Sequence, residues 1–126
     1  MIVLVVALFQ GREVSFWPPK VSLRPEVLRV QVGTVNIPDD TRKNKFFDGG
    51  YRGNRTILVS VPFELLFKKH VRIIVGQQKI DLESKTNSRL LVRAENPRLN
   101  GFDLCFETWE DSKVYDAAAF WIALGD

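Results

Sequence analysis

The chain has 126 residues and a formal net charge of +3, with 45% hydrophobic and 26% charged residues. This length fits one domain with a single core, and the composition is that of an ordinary globular protein, which excludes disorder as the default state. The one cysteine, Cys105, excludes an intrachain disulfide and a cysteine-based metal site.

The first 28 residues are predicted to be an N-terminal arm or the remnant of a signal. Residues 1–9 are apolar but have no basic flank, and they are too few to span a bilayer. They read equally well as a signal remnant or as an extra strand. The prolines of Trp17-Pro18-Pro19 and Arg24-Pro25 remove backbone donors, which favours an extended arm over residues 10–25. We therefore assign residues 1–28 to the arm and residues 29–126 to the domain.

Six segments of the domain alternate apolar and polar residues with the period of two that indicates a β-strand. They cover residues 27–37, 55–63, 70–77, 89–95, 101–109 and 118–124, and a long polar loop fills residues 38–53. No segment has a convincing helical pattern. The spacing predicts an all-β fold, a six-stranded antiparallel β-sandwich.

The strongest functional signal lies in residues 87–121. If Leu90 and Val92 face the core, Arg89 points away from it, and the alternation of residues 101–109 places Trp109 on an outer face as well. A guanidinium is a planar fork of donors suited to vicinal hydroxyls, and an aromatic face suits the C–H patch of a sugar. Asn87 can both donate and accept on the same side of the strand, and Tyr115 adds a second aromatic ring. These residue types suit a site that grips a sugar ring, but by themselves they favour a structural interpretation in which Trp109 is an interface aromatic.

The same stretch resembles the H-type lectins of the snail agglutinin and discoidin type, over about residues 29–124. The matching motifs are Asn87-Ser88-Arg89, Gly101-Phe102 with Thr108-Trp109, Asp111-Ser112-Lys113-Val114-Tyr115, and Phe120-Trp121-Ile122-Ala123.

This resemblance implies a secreted, non-enzymatic lectin that needs no cofactor or metal. It implies a site for galactose or N-acetylgalactosamine contacted at Asn87, Arg89, Trp109 and Tyr115. The family often has a histidine at the position of Glu110, so Glu110 is expected to alter sugar preference. It further implies a trimer in which a loop of the neighbouring subunit completes each site. Here that loop is residues 49–55, with Gly50, Arg52 and Gly53 as candidates.

The alternation also predicts self-association. It places five apolar residues on the face opposite the core, which a monomer would leave as an exposed patch: Leu91, Cys105, Ala119, Trp121 and Ala123. On this pattern Cys105 is either exposed or buried against a partner chain.

Two other classes of function fit some of the residues. In a structural oligomerisation module, Trp109 and Trp121 would be interface aromatics and Arg89 would pair with Glu107 or Glu95. In a nucleic-acid-binding domain, cations of two segments would form a basic strip, although no recognised motif accompanies them. These cations are Lys68, Lys69, Arg72 and Lys79, with Arg42, Lys43 and Lys45.

Catalysis and modification have weaker signals. The only histidine, His70, has no serine or cysteine partner in a recognisable motif and is expected at the surface. Carboxylates at positions 107, 110 and 111 lie near Trp109, as in a two-carboxylate glycosidase, but such clusters are common at strand ends. Asn54-Arg55-Thr56 is an N-glycosylation sequon, usable only in a eukaryotic secretory pathway.

Overall fold

The structure is a computed structural model. It describes the backbone of residues 2–7, 12–15, 20–23 and 27–126 and the side chains from Leu28 onward. These residues form nine β-strands. The strands are β1 (Ile2–Ala7), β2 (Arg12–Ser15), β3 (Lys20–Leu23), β4 (Val27–Asn36), β5 (Arg55–Pro62), β6 (Val71–Leu82), β7 (Leu91–Arg98), β8 (Gly101–Thr108) and β9 (Val114–Gly125). Single 3₁₀ turns at Asp39–Thr41 and Lys45–Phe47 interrupt the loop between β4 and β5.

Two antiparallel sheets form the sandwich. One has the strand order β1-β4-β9-β6 and the other has the order β5-β8-β7. The six strands from β4 to β9 are the six that the alternation predicts, so the predicted fold is confirmed. Three strands differ most in their bounds: β6 ends at Leu82 and β9 begins at Val114, both longer than predicted, and β7 begins at Leu91, so Arg89 precedes it.

The N-terminal segment contributes additional pairing. Strand β1 runs antiparallel to β4 with Ile2 opposite Val32, and β2 pairs with β3. The prolines of residues 17–19 and 24–25, on which the prediction of an extended arm depends, lie outside the described residues. The division of the chain at residue 28 stays a prediction.

The core between the sheets is aromatic at its centre. The ring of Phe63 lies 5.0 Å from that of Phe67 and 5.8 Å from that of Trp121, and Phe102 lies 5.5 Å from Trp121. Gly33 is opposite Trp121 in the β4–β9 ladder, and a Cβ there would come within 2.7 Å of the indole. The absence of a side chain at Gly33 therefore makes room for Trp121.

The predicted outer face of β9 is wrong. Ala119, Trp121 and Ala123 are buried in the core, so the alternate residues Phe120, Ile122 and Leu124 are on the outer face. Because β9 is apolar on both faces, alternation alone cannot say which face is inward.

The prediction for Cys105 is also wrong. Its side chain is 1% exposed within the single chain, although it shares the outer face of its sheet with Leu58 and Arg93, its partners in the two neighbouring strands. Neither exposure nor a partner chain is needed to account for it. Of the five residues in the predicted apolar patch, only Leu91 is exposed.

Candidate functional site

A cavity of about 250 Å³ opens at one end of the β5-β8-β7 sheet, lined by Asn54, Leu91, Glu107 and Trp109. Asn54 directly precedes β5, Trp109 directly follows β8, and Leu91 opposite Glu107 is the first residue of β7. The three strands therefore bring their ends together here. Trp109 is half-buried, so its indole is available as one wall.

Arg89 and Asn87 converge on one carboxylate, that of Asp111. A guanidinium nitrogen of Arg89 donates to Asp111 Oδ1 at 2.5 Å, and the Asn87 amide is 3.3 and 3.4 Å from its two oxygens. The hydrogen bond from Arg89 has the largest effect on the pKa of Asp111 and lowers it; desolvation opposes this, and the hydrogen bond from Asn87 adds to the lowering. Asp111 therefore stays ionised at neutral pH and orients both predicted sugar-binding residues.

The pairing predicted for Arg89 in the oligomerisation alternative is wrong. Glu95 and Glu107 are both taken by Arg93, which donates to Glu95 at 2.7 Å and also to Glu107. Arg89 pairs with Asp111 instead, and 28% of its side chain is exposed.

Two buried hydroxyls fix the backbone beneath Asn87 and Arg89. Thr108 Oγ1 donates to the Arg89 carbonyl at 2.5 Å, and Ser112 Oγ donates to the Asn87 carbonyl. Both residues are fully buried. Because both carbonyls are held, the two side chains begin from a fixed backbone, which is the preorganisation that a binding site needs.

The loop of residues 50–53 meets the turn after β8 at Glu110. Glu110 has a left-handed backbone with φ of 54°, and its N–H donates to the Arg52 carbonyl at 2.9 Å. The predicted residues Gly50, Arg52 and Gly53 are exposed, and Arg52 adjoins Glu110 of its own chain. That this loop also completes the site of a neighbouring subunit stays a prediction.

A buried arginine, Arg55, holds these loops together. Only 3% of Arg55 is exposed, and burial lowers its pKa, partly offset by Asp48. Its guanidinium donates to five backbone carbonyls: those of Phe46 at 3.3 Å, Asp48 at 2.6 Å, Gly53 at 3.4 Å, Glu110 at 3.0 Å and Ser112 at 2.8 Å. It thus ties the loop before β5 to the turn after β8.

Sequence reasoning missed this role of Arg55 and treated the residue only as the start of a strand and part of a sequon. A signal was present, because Arg55 is in phase with Ile57 and Val59, the inward residues of β5. A cation in phase with a core face needs several acceptors, and loop carbonyls can supply them.

Tyr115 lies apart from the cavity, at the start of β9 in the other sheet. Its hydroxyl donates to the Glu83 carboxylate, and this bond lowers the pKa of Glu83 and raises that of Tyr115. The Lys113 ammonium is 5.5 Å from its ring centroid. The structure therefore groups Asn87, Arg89, Trp109 and Glu110 around one turn, and places Tyr115 with Glu83 and Lys113.

The predicted basic strip is divided. Arg42 and Lys79 both pair with Asp116, at 2.9 and 2.7 Å. Lys68, Lys69 and Arg72 lie instead at the other end of β6. Two separate clusters, one of them partly neutralised by Asp116, do not make the continuous strip that a nucleic-acid backbone would need.

Other classes of site find little support in the described residues. Within residues 28–126, no three His, Cys, Asp or Glu side chains are grouped closely enough to hold a metal ion. His70 is at the surface, as predicted, with 84% of its side chain exposed. No helix in the described part of the chain has the length and apolarity required to cross a membrane.

The fold and this turn define a β-sandwich domain with a preorganised polar site beside an aromatic wall, the arrangement of a carbohydrate-binding module. A family model of the H-type lectin domain matches residues 58–124. The chain belongs to the H-type lectin family, as the sequence motifs predicted. It is a carbohydrate-binding lectin domain, and the prediction that it is not an enzyme is confirmed by this membership.

Several known proteins are similar to this chain in sequence. The chain is 36% identical over 84 residues to the "ATP synthase subunits region ORF 7" protein of Fuscovulum blasticum, covering 64% of this chain and 73% of the relative. It is 32% identical over 112 residues to the discoidin-1 subunits of Dictyostelium discoideum, covering 85% of this chain and 44% of each relative.

A solved structure shows the same fold. Discoidin II of Dictyostelium discoideum superposes with a TM-score of 0.67 at 30% identity, over 84% of this chain and 44% of that chain. The chain thus spans less than half the length of the discoidins that it matches.

Proposed function

We propose that the turn after β8 binds a terminal galactose or N-acetylgalactosamine. The observation that carries this proposal is the convergence of Asn87 and Arg89 on Asp111, which is two residues along the chain from Trp109, a wall of the cavity. Donors of Arg89 that do not engage Asp111 are available to sugar hydroxyls, and the second carboxylate oxygen of Asp111 can accept from one. The indole of Trp109 then packs against the C–H face of the ring.

Glu110 places a negative charge at the rim of this site. Its left-handed backbone turns the side chain away from the strand path, and the side chain is exposed. An ionised carboxylate at the rim accepts hydrogen bonds from hydroxyls and repels acidic sugars such as sialic acid. We therefore expect uncharged terminal sugars to be preferred at this turn, and Glu110→His to change the order of preference.

Calorimetric titration with galactose, N-acetylgalactosamine and mannose tests the site. We expect weak binding of the first two, with Kd on the order of 0.1 to 1 mM, and loss of binding in Arg89→Ala. Arg72→Ala is the matched control, because Arg72 is an exposed arginine near the opposite end of the sandwich. Unchanged affinity in Arg89→Ala would place the site elsewhere, and no sugar binding by the wild type would favour the oligomerisation module.

We also propose that the domain self-associates, as a trimer, through the outer face of the β4-β9-β6 sheet. Across this face Val32, Ile122 and Ile74 lie side by side in register, with Phe120 in the next row. Ile74 is 52% exposed and Phe120 is 38% exposed. Copies of the same chain are the expected occupants of this apolar surface. Several weak sites on one assembly would raise avidity by about 10² to 10⁴.

Light scattering of the purified protein tests the assembly. We expect three times the chain mass for the wild type and the chain mass for Ile74→Glu. Leu58→Glu is the control, since Leu58 is 57% exposed on the outer face of the other sheet. A monomeric wild type would refute self-association, and dissociation by Leu58→Glu alone would move the interface to the other sheet.

We propose that the assembly works outside the cell, in adhesion or agglutination. Multivalent display of a weak sugar site supports this role, because it crosslinks surfaces that carry many copies of one glycan. Agglutination of galactose-bearing erythrocytes by the wild type, inhibited by free galactose and absent with Ile74→Glu, is the expected result.

A further inference from the structure

A second cleft, of about 420 Å³, lies at the opposite end of β7 from Trp109. Its cationic lining residues are Lys69, Arg72 and Arg98, and His70 also lines it. The remaining walls are apolar and come from Val71, Pro97 and Leu99. Since β7 has eight residues, the two ends of this strand are about 23 Å apart, so the cleft is separate from the turn at Trp109.

Hydrogen bonds fix the walls of this cleft. One wall is the segment before β6, and the other is the turn between β7 and β8. The N–H of Phe67 donates to the Leu99 carbonyl at 3.0 Å, which joins the two walls. The backbone N–H groups of Lys69 and His70 donate to Asp126 Oδ1 at 3.0 and 2.9 Å. The cleft therefore has a defined shape, although its cations are at the surface.

Three cations line the cleft at neutral pH, those of Lys69, Arg72 and Arg98. Two carboxylates face it: Asp103 is 3.2 Å from Arg98, and Asp126 is 3.7 Å from His70. Hydrogen bonds lower the pKa of both, so they remain charged. Within the described residues, Lys69 and Arg72 have no carboxylate within 4.0 Å. Two cations are thus left to attract an anion.

We propose that this cleft binds a negatively charged saccharide, one that carries a sulfate or carboxylate group. Arg72 and Lys69 supply the charge, and the planar fork of an arginine matches the oxygens of such a group. The apolar walls Val71, Pro97 and Leu99 suit the C–H face of the attached ring. The volume lies within the range of small-ligand pockets, which runs from about 300 to 1,000 Å³.

The cleft and the turn at Trp109 differ in the sign of their charge. The turn has Glu110 at its rim and disfavours acidic sugars, whereas the cleft attracts them. One domain would thereby recognise a neutral terminal sugar at one end and an acidic saccharide at the other. The inference does not depend on the proposed galactose site, because it rests on a different cavity and different residues.

The test is a titration of the labelled protein with a sulfated disaccharide, followed by backbone amide NMR shifts in the presence of saturating galactose. Parallel titrations use a disaccharide with a uronic acid, the uncharged parent disaccharide and inorganic sulfate. We expect the charged disaccharides to shift the amides of Val71, Arg72 and Leu99, and the affinity to fall as salt is raised. The uncharged parent is expected not to bind.

Two double variants with the same change in net charge distinguish a specific binding site from nonspecific electrostatic attraction. Lys69→Gln with Arg72→Gln should weaken binding by about tenfold or more, the effect of losing one charge-assisted hydrogen bond. Lys43→Gln with Lys85→Gln removes the same charge from exposed positions outside the cleft and should leave binding unchanged. Equal losses in the two double variants, no shifts at the cleft, or inorganic sulfate binding as well as the disaccharide would overturn the proposal.

Discussion

Arg89 and Asp111, 22 residues apart in the chain, meet at 2.5 Å and place the guanidinium beside the Trp109 turn. Arg89 precedes β7 and Asp111 follows β8, so the pair joins the beginning of one strand to the end of its neighbour. The arginine proposed to hold the sugar is therefore itself held by an anion.

Asp111→Asn should weaken sugar binding by about tenfold without unfolding the domain. The amide keeps the shape of the carboxylate but loses the charge that orients Arg89, and the Arg89–Asp111 pair is partly exposed, so the stability effect is small. Calorimetric titration with galactose measures the first effect, and urea unfolding measures the second. Wild-type affinity in Asp111→Asn would show that Arg89 needs no carboxylate to act.

Acid should destabilise the domain only below about pH 4.5. Five carboxyl groups have pKa values held below their ordinary values of 3.8 for Asp and 4.5 for Glu. A lowered folded-state pKa gives stability that is present above the unfolded-state value and is lost as pH falls through the folded-state value. The urea midpoint should be constant from pH 7 to about 5 and decline below that range. A decline between pH 7 and 5 would contradict this. The five carboxyl groups with lowered pKa values are Glu83, Asp103, Asp111, Asp116 and Asp126.

Arg55→Met should lower the free energy of unfolding by about 3 kcal/mol, because it leaves several carbonyls without their donor. It should also weaken sugar binding, since Arg55 ties both loops of the site together. Urea unfolding and calorimetry measure the two effects. Arg52→Met, an exposed arginine in the same loop, is the control for stability and should change it by under about 0.5 kcal/mol. Equal stabilities of the two variants would remove the role assigned to Arg55.

Glycosylation at Asn54 should block the sugar site. Asn54 is exposed and lines the cavity with Trp109, so an attached glycan would occupy the entrance. Protein from a eukaryotic secretory host should bind galactose poorly wherever mass spectrometry finds Asn54 modified. Thr56→Val removes the sequon without changing Asn54 and should restore binding to that of bacterially produced protein. Full binding by the modified form would place the sugar away from this cavity.

The sequence predicts a strand and its inward face well only where the two faces of that strand differ in polarity. Strands β5 and β8 were predicted nearly to their bounds, because Ile57, Val59 and Val61 of β5 share one face and turn residues flank β8. The face of β9 was predicted wrongly, because both faces are apolar and only packing against Gly33 and Phe102 places Trp121 inward.

For the site, local sequence motifs predicted which residues take part but not their contacts with distant parts of the chain. The family motifs identified Asn87, Arg89 and Trp109, which the structure groups around one turn. They did not reveal the Arg89–Asp111 pair or the bonds from Arg55 to the carbonyls of Glu110 and Ser112, because these contacts join loops that are far apart in sequence. Local alternation carries no information about which distant carbonyl or carboxylate will satisfy a given side chain.

The burial of Cys105 has a practical consequence. Desolvation raises the pKa of its thiol, and its side chain is almost wholly covered. Thiol reagents need the thiolate and access to it, so this cysteine should react only when the sheet around β8 opens. The rate of alkylation at this single cysteine would therefore report the opening of the strand that leads into the turn proposed to bind sugar.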